Sequence, residues 1–125
     1  MNKYKAKSVT ISMDYPGAVI SINHYKFKGR YTKKEARDWM DGLGWKIKQY
    51  HIEDWKQPIK VSISGVFKDK RSTPDLSNLT KVCLDALEEV SGVNDRNMRW
   101  HDGAITINKN VEPVIMITIQ EAIDD

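Results

Sequence analysis

The residues of this chain best suited to chemistry lie in two short stretches, RSTPDLSNLTK (71–81) and VNDRN (93–97). Asp75 opens an apolar-periodic segment, and Asn78, Lys81 and Asp85 follow at helical spacings of three and four, so their side chains project together. Asp95 comes after the helical pattern ends. Two carboxylates about 4 Å apart would repel by about 4 kcal/mol at an effective dielectric near 20, a cost removed by a proton or a divalent cation. Oxygen donors favour Mg²⁺ or Mn²⁺ over zinc, and the sequence has no Cys/His cluster. A purely local reading stands beside this one. Thr73 is then an N-cap, Pro74 the first helical residue, Asp75 a charge at the positive helix terminus, and Asp95 an ordinary turn residue.

The elements that must position these groups follow from periodicity. VTISM (9–13) and IKVSISGVF (59–67) alternate as half-buried strands. Thr32 and Glu35 form a capping-box pattern ahead of Ala36, Trp39, Met40, Leu43, Ile47 and Tyr50, predicting a helix over 33–51. Leu76, Leu79, Val82, Cys83, Ala86, Leu87 and Val90 share one side of a second helix over 74–90, with Gly92 as its stop. AITIN (104–108) and PVIMITI (113–119) read as an antiparallel hairpin. The order β-α-β-α-β-β predicts an α+β fold, a mixed sheet with two main helices packed on it.

At 125 residues and 14.4 kDa the chain is expected to form one domain, residues 1–125. It shows no apolar run approaching a membrane span and no signal-peptide core, and Cys83 is its single cysteine; a reducing cytoplasm without disulfides is the expected setting. Charge is unevenly spread. Residues 1–71 carry 16 Lys or Arg against 7 Asp or Glu, a balance of +9, whereas residues 72–125 carry 4 against 10, a balance of −6. A basic surface beside an acidic one suits a polyanion with a cation between it and the protein.

The segment DLSNLTKVCLDAL (75–87) followed by GVNDRNM (92–98) resembles the RusA-type Holliday junction resolvases, whose pattern is roughly D-L-D-N-L-x-K-x-x-x-D-A-L and then a D-D or N-D pair before a strand. ISINHYKFKGR (20–30) is similar to that family's N-terminal segment. The resemblance implies a homodimeric endodeoxyribonuclease that needs Mg²⁺ or Mn²⁺ and resolves four-way DNA junctions by paired symmetric nicks. It implies Asp75 and Asp95 as metal ligands and catalytic residues, and Lys81 as the helix lysine needed for activity. Asn78 and Asp85 match motif positions. Lys68, Lys70 and Arg71, just before the site, are expected to hold the DNA backbone together with Asn78. Where the family pattern carries a second acid, this chain has Ser77. A neutral hydroxyl there leaves two carboxylates, so the alternative is a junction-binding protein with weakened or lost cleavage. Asp69 is either a substitute ligand or a surface residue at a strand end. Of the remaining residues, His24 and His101 read as solvated or structural, Cys83 and Trp39 as packing, Trp100 as a base-stacking candidate, and Tyr25 as a contact to DNA or a partner subunit.

Overall fold

The computed structural model describes residues 6–21, 26–27 and 31–122. Strands β1 (Ser8–Asp14), β2 (Lys26–Phe27), β3 (Tyr31–Thr32), β4 (Ile59–Phe67), β5 (Met98–Ile107) and β6 (Val114–Gln120) accompany helices α1 (Lys34–Lys48) and α2 (Thr80–Ser91). Four strands form one mixed sheet in the order β1-β6-β4-β5, and β2 and β3 form a separate two-stranded ribbon. The α+β architecture with two main helices is as the sequence predicts.

The interior strands are β4 and β6, and β4 alternates with Ile59, Val61, Ile63 and Phe67 buried on one face. Ile115, Ile117 and Ile119 of β6 and Ile11 and Met13 of β1 continue that face. The helices supply the second layer, with Ala36, Met40, Leu43 and Ile47 from α1 and Val82, Ala86 and Leu87 from α2. Arg37 ties the helices together, its guanidinium donating two hydrogen bonds to Glu89, at 2.6 and 3.1 Å. The opposite sheet face is hydroxyl-rich, with Thr10 and Thr118 bonded at 2.9 Å.

Residues 104–108 and 113–119 do not pair as a hairpin. β4 lies between them, parallel to β5 and antiparallel to β6. A core strand gains from partners on both edges, and the polar β5, exposed along most of its length, is left as the edge. The other edge, β1, is shielded by α1, where the Trp39 indole donates to the Asp14 carbonyl at 2.9 Å and the Lys46 ammonium to the Ser12 carbonyl at 2.8 Å.

The helix starts also differ from expectation. Thr32 ends β3, and Lys33 caps α1 without a side-chain bond, so the Thr32/Glu35 box does not form. Ahead of α2 a 3-10 turn covers Leu76–Leu79 with Asp75 as its N-cap. Thr73 is not the cap, because its hydroxyl donates to the Asp69 carbonyl at 2.7 Å. At the far end Gly92, at φ +77, closes α2 in the left-handed region that glycine enters without a Cβ penalty.

One buried carboxylate fastens three segments. Glu121, 2% exposed, accepts hydrogen bonds from the backbone amides of Lys7 at 2.9 Å and Lys56 at 3.0 Å. No helix among the described residues is long and apolar enough to cross a membrane.

Candidate active site

The candidate residues all lie on the single crossover that carries the chain from β4 to its parallel neighbour β5. The crossover begins with an exposed turn in which Asp69 accepts from the Ser72 amide at 2.8 Å and the Ser72 hydroxyl at 2.9 Å. These bonds hold the Asp69 carboxyl below its ordinary pKa. They account for Asp69 as a turn residue at the strand end. Lys70 and Arg71 are exposed in the same turn. Lys68 is engaged by Glu112, across the sheet end, at 3.3 Å.

Asp75 follows, exposed at the mouth of the 3-10 turn. Its Oδ1 accepts from the Ser77 amide at 3.2 Å and the Ser77 hydroxyl at 2.9 Å. Its Oδ2 accepts no hydrogen bond among the described residues. The residue standing where the family pattern has an acid is thus a donor to the first acid. Asn78 is exposed on the same turn.

Lys81 lies in the first turn of α2, and its ammonium meets Asp85, one turn on, at 3.1 Å. That hydrogen bond raises the Lys81 pKa above the ordinary lysine value; partial desolvation opposes it, and the charges of Asp95 and Glu88 add to it. Asp95 therefore lies close enough for its charge to act on Lys81. It opens a second 3-10 turn, Asp95–Asn97, with Asn94 as N-cap, just before β5. The Asp95 carboxylate is exposed and accepts no hydrogen bond among the described residues.

Asp75 and Asp95 are hard oxygen donors with open lone pairs, which suits Mg²⁺ or Mn²⁺. Among the described residues only His51, Glu53 and Asp54 bring three potential ligand atoms within 4.8 Å of one another. Asp75 and Asp95 thus belong to no such trio, and Asp85, turned toward Lys81, does not join them. The HIED segment was not read as a ligand group in the sequence, although its spacing of two and three residues is the available signal. Sequence reasoning also missed Lys26 of β2, whose ammonium lies 3.9 Å from the second oxygen of Asp85.

Of the other residues singled out, Trp39 and Trp55 are core, and Trp45 is 74% exposed with the Lys48 ammonium 5.6 Å from its ring centre. Trp100 is half-buried and donates to Asp102 at 2.9 Å. Cys83 is buried, and burial pushes its thiol up to about 12, in keeping with a packing role. His101 is exposed on β5. His24 and Tyr25 lie outside the described residues.

Acids, a lysine paired with one of them and flanking cations thus share one crossover of an α+β sheet. The family profile described as Endodeoxyribonuclease RusA matches residues 19–120, a span containing every candidate residue above. The chain belongs to the RusA endodeoxyribonuclease family, and its class of activity is that of a Holliday junction endonuclease. Among curated proteins, none matches the chain.

Proposed function

We propose that the chain is a divalent-cation-dependent nuclease that resolves four-way DNA junctions by paired symmetric nicks, acting as a cytoplasmic homodimer. Asp75 and Asp95 would hold Mg²⁺ or Mn²⁺. A cation held by these two carboxylates would supply polarisation of the scissile phosphate and a water of lowered pKa. Lys81, its ammonium stabilised by Asp85, stays charged at neutral pH and donates to a phosphate oxygen as negative charge grows in the transition state. Lys70 and Arg71, exposed on the turn before Asp75, hold the backbone with Asn78, and Lys68 joins them once Glu112 releases it. Two copies related by a two-fold axis give two equivalent sites for two opposed strands.

The observation that carries this reading is the placement of Asp75, Lys81 and Asp95 on the one crossover from β4 to β5, in a chain whose residues 19–120 match the endonuclease family. A second reading rests on the Ser77 hydroxyl bonded to Asp75, which supplies a neutral donor in place of an acid. In that reading the protein binds junctions without cutting them. Incubating end-labelled four-way junction and matched linear duplex with the protein and Mg²⁺ or Mn²⁺ tests both. Symmetric paired nicks in the junction alone support the nuclease, junction-selective binding without nicks supports the second reading, and equal binding to both DNAs overturns the two together.

A further inference from the structure

Asp85 is a half-buried carboxylate on the crossover's polar face, with 18% of its side chain accessible, and the nuclease reading uses it only to stabilise the Lys81 charge. One oxygen receives the Lys81 ammonium at 3.1 Å, and the other lies 3.9 Å from the Lys26 ammonium, contributed by the β2–β3 ribbon. We infer that Asp85 is a positioning residue for the cleavage reaction, fixing the Lys81 ammonium on the site side of α2 and docking the ribbon against that helix. The inference rests on the nuclease reading above.

The argument is one of charge and freedom. A lysine arm has four rotatable carbons, and an unanchored ammonium spends little time in any one place. A carboxylate one helical turn away fixes the arm, yet a carboxylate serving Lys81 alone would cancel the charge a phosphate needs. Lys26 resolves the conflict. A second cation on the same carboxylate divides its negative charge between two ammonium groups, so Lys81 is oriented with less of its own charge cancelled. Charge-assisted bonds of this kind gain strength when one partner is withdrawn from water, as Asp85 is.

The test compares single-turnover nicking of a labelled four-way junction in Mn²⁺ by the full chain and by the Asp85→Asn, Lys81→Met and doubly substituted forms. Junction affinity without cation and melting temperature are read in parallel. Asp85→Asn is expected to slow nicking by about tenfold or more with affinity nearly unchanged, as for a misplaced catalytic group. The double form is expected to cut no slower than Lys81→Met alone, because Asp85 acts through Lys81. Should Asp85→Asn fail to fold, Asp85→Glu and Asp85→Gln disturb packing alike and differ only in charge; the Glu form is expected to nick the faster. Full-rate Asp85→Asn, additive losses in the double form, or equal rates for Glu and Gln overturn the inference. Absence of nicking by the unsubstituted chain instead overturns the nuclease reading itself, and the inference with it.

Discussion

Replacing Ser77 with Asp alters the candidate centre at the point where it departs from the family pattern. Ser77 gives Asp75 two hydrogen bonds, 3.2 Å from the amide and 2.9 Å from the hydroxyl. The substitution removes the hydroxyl donor, worth about 1 kcal/mol. It also sets a second carboxylate about 4 Å from the first, which adds repulsion of about 1 kcal/mol at an exposed site. The cation-free variant should therefore lose about 2 kcal/mol, or about 8 °C of melting temperature for a chain of this size. Saturating Mn²⁺ or Mg²⁺ should reverse the loss, since a ligand at about 100 times its Kd returns about 2.7 kcal/mol. Differential scanning fluorimetry with and without each cation measures both effects, and a junction assay should show faster nicking or a shift of preference toward Mg²⁺. A variant whose melting temperature and cation response match the parent's refutes the placement of residue 77 beside the metal.

Asp75→Asn and Asp95→Asn should each abolish nicking while junction affinity holds or rises, since one carboxylate fewer repels the phosphates; undiminished cutting by either form removes that acid from the ligand set. Burial holds the Cys83 thiol neutral up to about 12, against an unfolded value of 9.0. The unfolded chain thus loses this proton first, and stability falls as pH rises through that window by up to about 1.4 kcal/mol per pH unit. The stability advantage of the parent over Cys83→Ala, read by urea unfolding from pH 8 to 11, should shrink accordingly, and a constant gap would count against a buried thiol. A Cβ on Gly65 would overlap the Phe67 ring. Gly65→Ala should cost about 2 kcal/mol, partly recovered in combination with Phe67→Leu; strictly additive losses would show that the two positions do not touch.

How much of this was legible in the sequence depended on how local the deciding interaction was. Strand β4 matches the alternation over 59–67, and the apolar side of α2 and its Gly92 stop follow from spacing alone. The hairpin reading failed because sequence proximity favours pairing of neighbours. The choice was made instead by β4, which takes a partner on each side. The start of α2 moved because Asp69, four residues earlier, captured the Thr73 hydroxyl, a competition between turn and cap that residue types do not rank. At the site, Lys81 and Asp85 were readable as an i, i+4 pair. The approach of Lys26 from the ribbon is a tertiary fact with no periodic signal. So is the bond from Ser77 to Asp75, since a serine in that position reads only as a missing acid.

The buried carboxylate of Glu121 has a practical bearing on how this protein can be shortened. The family match ends at residue 120, one position before the side chain that joins the start of β1 to the turn ahead of β4. A boundary drawn at the end of the match would strand two amides without their acceptor, at about 1–3 kcal/mol each. Truncated forms and C-terminal fusions should keep residues 121 and 122. A version ending at 120 should unfold at lower urea than one ending at 122, with every residue of the β4–β5 crossover still present.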